Sequence, residues 1–187
     1  MLNNVISYHC LFCHGYEDRG CSSVGVLAVE NVANTQTALH MAYMSRRLAK
    51  RVVIYTHGAD DVADQLCSAI PAGFDFEVER RRIERISKGT GSKSEVIVHL
   101  ADSEERAEGF IVHKPRTSVN GPFAQQLPLE LTKDGDVWTS NEPFPETSMH
   151  GVFAIGDCGS SKKSVMQAMA IGGLGASGLA VQLQMMP

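Results

Sequence analysis

The sequence shows no excess of basic residues. Seventeen lysines and arginines stand against 21 aspartates and glutamates, a net charge of -4. That balance gives no general attraction to nucleic acid or to an anionic membrane surface, and neither partner is expected. Cysteine is sparse: five residues, too few for a disulfide scaffold and odd in number. The opening Met1-Leu2-Asn3-Asn4-Val5 has neither the basic region nor the apolar core of a signal peptide. A cytoplasmic location is therefore expected, where thiols stay reduced unless they are catalytic or bind metal. Repeats and low-complexity segments are missing. The longest apolar stretch, Val165 to Met186, is broken by Gln167, Ser177, Gln182 and Gln184 and crowded with glycines, so it reads poorly as a membrane span. What is left, 43% apolar and 20% charged residues in a chain of 187, is an ordinary globular composition for one domain or two small ones.

From Val24 the pattern runs strand, helix, strand. Val24 to Val29 is an apolar run interrupted only by Gly25, as expected for a strand buried on both faces. Asn34 caps a helix expected over Thr35 to Ala49, with Ala38, Leu39, Ala42 and Leu48 at helical spacing. Arg51 to Tyr55 is the next strand, and the βαβ unit implies a parallel sheet with a right-handed crossover. A second helix starts near Asp60, carries Val62, Leu66 and Ile70, and stops at Pro71. Further strands are expected at Phe74 to Glu79 and Glu95 to Leu100. The acidic stretch from Ala101 to Gly109 reads as a turn or domain crossing. Phe110 to Val112 and an irregular proline-containing segment follow. Gly151 to Asp157 then reads as a buried strand ending in a Gly-Asp turn, before a helix from Ser164 to about Leu183. The fold class is α/β.

The sharpest local signal is His9-Cys10-Leu11-Phe12-Cys13-His14. Two cysteines separated by two residues at the opening of a helical turn can close a small disulfide, and a helix N-terminus favours the thiolate of one of them. His9 or His14 can carry the proton that thiol-disulfide exchange moves, because imidazole titrates near neutrality. The bare motif also permits two buried thiols, a c-type haem attachment at Cys10-x-x-Cys13-His14, or a zinc site recruiting Cys10, Cys13, Cys21 and His14. Haem attachment usually comes with an export signal and a distal ligand. Structural zinc usually shows two separated pairs, so no metal is expected.

The order of these motifs, a Cys-x-x-Cys pair ahead of a βαβ unit and a late Gly-Val-Phe-Ala-Ile-Gly-Asp ahead of a Gly/Ala-rich helix, resembles the low-molecular-weight thioredoxin reductase family. Cys10-Leu11-Phe12-Cys13-His14-Gly15-Tyr16-Glu17 is similar to its fungal branch of dithiol oxidases, which close disulfides in gliotoxin-like secondary metabolites. The resemblance runs over nearly the whole chain. It implies a Rossmann-like, three-layer, nucleotide-binding-like domain with the redox segment over residues 1–105. It also implies the C-terminal part of a discontinuous FAD-binding domain over 106–187. By the same resemblance Cys13 is the flavin-side thiol, Cys10 exchanges with a small-molecule dithiol substrate, and His14 stands where thioredoxin reductases carry an acid. Asp157 would bond the ribityl chain of FAD, and the backbone amides of Gln167 and Ala168 would face the flavin ring.

Two departures qualify that picture. A dinucleotide fingerprint needs glycines after its first strand so that backbone can approach the pyrophosphate, yet no glycine occurs between Gly25 and Gly58, and Glu30 sits in the turn. The second strand ends Tyr55-Thr56-His57-Gly58, with no acid for a ribose and no arginine for a 2'-phosphate. NADPH is not expected as a cofactor. The family's first FAD-binding unit lies upstream of the cysteine pair, and here nine residues precede Cys10. A homodimer or a complementing FAD-domain chain is therefore expected, or else a flavin-free interaction module. Met41, Met44, Met166 and Met169 are expected in the core, Cys67 and Cys158 as small buried residues, and Arg80 to Arg82 with Arg85 as a solvated face.

Overall fold

Strand β2 (Cys21–Leu27) takes in the first four residues of the apolar run noted above, Val24 to Leu27, and in the computed structural model, which describes residues 7–140 and 142–186, both of its faces are covered. Side chains alternate along a strand with period two. Val24 and Val26 pack into one cluster and Leu27 into another. The same division splits β3 (Ala49–Tyr55), with Val52 and Ile54 on one side and Val53 and Tyr55 on the other. The first cluster also draws on α1 (Thr35–Ser45) and α2 (Asp60–Ala69), with Tyr8, Leu11 and Phe110 among its other members, and the second on β5 (Ile83–Lys88) and β6 (Val96–Leu100), with Ile111 beside them. Helices, parallel sheet and antiparallel sheet thus form three layers.

The central sheet also includes β1 (Ser7–Tyr8), β4 (Phe76–Glu79) and β8 (Ile111–Val112), in the order β1-β8-β2-β3-β4, every pair parallel. The covering sheet is β5-β6-β7, with β7 spanning Glu105–Glu108, and is antiparallel. Gly25 sits at the crowded centre. A Cβ there would lie 2.4 Å from Ile111 Cδ1 and 2.9 Å from Tyr55 Cε2, so its bare backbone makes room for both side chains in the second cluster.

Several boundaries differ from the sequence expectation. The strand expected at Val24 begins at Cys21 and ends at Leu27, because Cys21 and Ser23 pair through backbone with Ala49 and Arg51 whatever their side chains. Helix α1 is capped by Asn34 Oδ1, which accepts from the Thr37 amide at 2.9 Å, but ends at Ser45. Ala49, expected as helical, opens β3. Helix α2 starts at Asp60, as expected, and Ala59 is the residue before its first turn. The acidic stretch expected as a turn contains β7. Its charged side chains are partnered: Arg106 pairs with Glu77, Glu79 and Glu104, and Glu108 is fully buried against Tyr55.

The chain divides into two units, Met1–Pro115 and Arg116–Pro187. The second has, among its described residues, a short helix α3 (Phe123–Gln126), three isolated bridges and the long helix α4 (Val165–Gln184). Gly151 to Asp157, expected as a buried strand, has among the described residues only the bridge of Phe153 to Glu146, and Ile155 is 47% exposed. Ser164, expected as the first helical residue, is instead the cap of α4. Gly178 lies against Phe144 and Phe153, where a Cβ would approach to 2.7 and 2.8 Å. Most apolar side chains of α4 face outward. Met166 and Met169, expected in the core, are 76% and 68% exposed, whereas Met41 is buried and Met44 packs against the first cluster. By length and composition α4 is long and apolar enough to cross a membrane. Cys67 and Cys158, expected as buried, are both exposed: Cys67 lies on the outer face of α2, with Arg80 Nη2 3.7 Å from its sulfur, and Cys158 lies in a surface turn.

Candidate functional site

Leu11 to Gly15 form a single wide helical turn directly after β1. Leu11 is the buried residue that seats it, packing into the helix-side cluster beneath Gly15, where a Cβ would lie 2.7 Å from Leu11 Cδ2. Cys10 and Cys13 are joined in a disulfide with Cα atoms 5.5 Å apart, within the usual span for such a bond. Both sulfurs are thus committed to each other. Cys10 is half-buried and Cys13 exposed, and Phe12 between them is 85% exposed. His9 is exposed beside Cys10. The backbone of His14 lies in the turn, while its side chain lies outside what the structure describes. The Arg19 guanidinium stacks 4.4 Å from the centre of the exposed Tyr16 ring just beyond the turn.

Sequence reasoning missed the groups behind this turn. Tyr8, two residues before Cys10, donates from its hydroxyl to Asp18 Oδ2 at 2.5 Å, and Ser94 Oγ lies 2.7 Å from each of those oxygens. Burial first, and then the bond to Asp18, push the Tyr8 hydroxyl above its ordinary pKa, so it remains a donor through the neutral range. No spacing rule points to a serine 86 residues from its partner.

The turn after β2 is organised without glycine. Glu30 adopts a left-handed φ of 49° and begins a short 3-10 turn over Glu30–Val32. Asn34 then takes the Thr37 amide at the start of α1. That helix N-terminus is filled by the chain's own side chain, and the Glu30 carboxylate lies 3.9 Å from His113 Nε2. After β3, His57 Nδ1 accepts the Ile83 amide at 3.0 Å.

In the second unit Asp157 lies in the 3-10 turn Gly156–Gly159. Its carboxylate makes no hydrogen bond among the described residues, and it lines a pocket of about 480 Å³ with Phe123, Asp136, Phe153, Cys158 and Lys163. Lys163 Nζ clasps this wall, donating to Asp136 Oδ1 at 2.6 Å, to the Asp157 carbonyl at 2.7 Å and to the Ser160 carbonyl at 3.1 Å. Gln167 and Ala168 occupy the first turns of α4. The Gln167 amide donates to Ser164 Oγ at 3.3 Å and the Ala168 amide to the Ser164 carbonyl at 2.9 Å. Both are engaged in the helix start. Cys10, Cys13, His9 and His14 thus fall in one unit, and Asp157, Gln167 and Ala168 in the other.

No protein-family profile matches the chain. It is 42% identical over 176 residues to the thioredoxin reductase aclD of Aspergillus oryzae, covering 94% of this chain and 55% of that protein. Identity to a thioredoxin reductase of Gibberella zeae is 41% over 181 residues, covering 95% of this chain and 52% of that protein. The crystal structure of HlmI matches with a TM-score of 0.66 at 25% identity, over 94% of this chain and 51% of HlmI. The chain spans about half the length of the curated relatives it matches.

Proposed function

This chain belongs to the thioredoxin reductase-like family, and from that premise we propose that it oxidises a small-molecule dithiol to a disulfide through Cys10 and Cys13, in fungal secondary metabolism, with oxygen as the final acceptor. The observation that carries this reading is the closed disulfide in a turn that leaves Cys13 exposed and Cys10 half-buried. A substrate thiolate attacks Cys10 Sγ, the Cys10–Cys13 bond breaks, and Cys13 leaves as a thiolate. The second substrate thiolate then attacks the substrate sulfur of the mixed disulfide and releases Cys10. The substrate loses two electrons and two protons, and the cysteine pair gains the electrons. His9 and His14, flanking the pair, carry the protons.

FAD, when bound, supplies the two-electron acceptor that makes turnover possible. The residues here suit one end of it. The free carboxylate of Asp157 on an open pocket matches the ribityl hydroxyls, whereas the amides of Gln167 and Ala168 are already bonded to Ser164. A complementing FAD-domain chain, or a homodimer, is the partner this reading calls for, and the cytoplasm is its location. The filled N-terminus of α1, the glycine-free turn and Glu30 support a reaction without NADPH: at contact distance two like charges repel by about 4 kcal/mol at intermediate dielectric. A flavin-free interaction module is the second reading, favoured by the engaged amides and the outward apolar side chains of α4.

The test is stoichiometric. Under anaerobic conditions one equivalent of dithiothreitol should be oxidised by the purified chain while Cys10 and Cys13 become alkylatable, read by peptide mass spectrometry. Cys10→Ser should abolish this exchange; full exchange in that variant sinks the assignment. Quenching of FAD fluorescence on adding the chain supports flavin binding, and a chain that leaves FAD unquenched favours the second reading.

A further inference from the structure

The Cys10–Cys13 turn is bracketed by one partly buried polar contact. Tyr8 lies upstream of the pair and Asp18 downstream, and the bond from Tyr8 Oη to Asp18 Oδ2 draws them together. Ser94, almost wholly buried, completes a triangle of oxygens 2.5 to 2.7 Å apart. Two hydroxyl protons serve three oxygens: Tyr8 gives its proton to Asp18, and Ser94 gives its own to Asp18 or to Tyr8. The Tyr8 ring is fixed from the other side by Phe110, with centroids 5.2 Å apart, and its backbone carbonyl accepts the His113 amide at 3.1 Å. The segment that carries Ser94 is braced as well. The Gly89 amide donates to the Glu95 carbonyl at 2.8 Å, the Gly91 amide to Glu95 Oε1 at 2.8 Å, and the Glu95 amide to Ser92 Oγ at 3.1 Å.

We propose that Tyr8, Asp18 and Ser94 are positioning residues that clamp the redox turn and thereby set the equilibrium between its disulfide and dithiol forms. The inference rests on the proposed redox role of Cys10 and Cys13 and deepens it. The physical argument is one of effective concentration. When the disulfide opens, the two thiols gain the freedom that the surrounding chain permits, and every restraint on that freedom favours closing again. A turn tied at Tyr8 and Asp18 to a braced segment gives its thiols little room to separate. Loosening the tie releases entropy in the dithiol form alone and moves the equilibrium toward it. Burial makes the effect specific, because a hydroxyl or carboxylate left without its partner inside the protein weakens the whole triangle.

The experiment uses the full chain in buffers of reduced and oxidised glutathione, with the fraction of the Cys10–Cys13 peptide in disulfide form read by alkylation and mass spectrometry. The reaction is balanced: the protein disulfide and two reduced glutathiones give the protein dithiol and one oxidised glutathione. Asp18→Asn and Ser94→Ala are each expected to lower the equilibrium constant for disulfide closure about tenfold, a potential about 30 mV less negative. Ser94→Thr, which keeps the hydroxyl, should stay close to the parent. Circular dichroism confirms folding, and Tyr8→Phe serves if Asp18→Asn does not fold. An unchanged potential in folded Asp18→Asn or Tyr8→Phe and in Ser94→Ala overturns the clamp while leaving the redox role standing. A pair that glutathione cannot reduce in the parent chain overturns the redox role itself, and the clamp with it.

Discussion

The two units bury their apolar residues very differently. In Met1–Pro115 the central sheet is covered on both faces, and strands β2 and β3 send alternate side chains into two separate clusters. In Arg116–Pro187 the buried side chains are few, among them Val137, Ala154, Asp136 and Thr147, while Val165, Met166, Met169, Leu183 and Met185 stand in solvent. Apolar composition alone therefore does not make a core. Alternation fills one when there are layers to receive both faces of a sheet, and helix α4, apolar around much of its circumference, has no such layers among the described residues of its unit. Variants that remove apolar bulk from each unit test the contrast directly.

The largest effect is expected in the first unit. Leu66 is fully buried between α2 and the sheet, and Leu66→Ala should cost about 2–5 kcal/mol, measured as the shift of the urea unfolding midpoint. A loss below about 1 kcal/mol would mean that the helix-side cluster collapses around the gap, and the contrast between the units would lose its basis.

The second effect concerns the polar pair inside the other cluster. Tyr55 donates to Glu108 Oε1 at 2.5 Å, and Glu108 Oε2 has no partner among the described residues. Tyr55→Phe removes the bond to Oε1 and should cost about 1–3 kcal/mol. Burial, ahead of every other influence, holds the Glu108 carboxyl above the ordinary carboxylate range. The folded protein thus keeps a proton that the unfolded chain releases near pH ~4.3. The stability this group contributes is fully present below that pH and is lost as the pH rises through the folded value. Glu108→Gln, which cannot ionise, should therefore gain on the parent as the pH rises from about 5 to about 8. A difference that stays constant over that range overturns the assignment.

Glu108 also marks the limit of what the sequence discloses. The βαβ unit was legible because its signals are local: an apolar run, helical spacing and the Asn34 cap lie within about thirty residues. The disulfide was legible for the same reason, with a separation of three. Strand β7 was not, because Arg106 and Glu108 look like surface residues until their partners, 29 and 53 residues away, are in place. The clamp behind the redox turn was hidden by a separation of 76 between Asp18 and Ser94. At Gly151 to Asp157 the apolar pattern promised a strand, but a ladder needs a neighbour, and pattern cannot supply one. Met166 and Met169 failed for a related reason: helical spacing places residues on a common face without saying whether anything covers it.

That failure yields the smallest expected effect and the sharpest check on the contrast between the units. Met166→Gln and Met169→Gln replace flexible apolar side chains by polar ones of similar length and comparable helix propensity. At 76% and 68% exposure these methionines bury little area, so the hydrophobic loss is small and each variant should remain within about 0.5 kcal/mol of the parent, read from thermal unfolding at low protein concentration. A partner chain seated on this face would change that result in a recognisable way. The variants would then lose stability in proportion to protein concentration, because each removes apolar area from an interface that forms only when two chains meet. A loss above about 1 kcal/mol that does not depend on concentration would instead place the two methionines inside the folded unit, and the exposed face of α4 would have to be withdrawn.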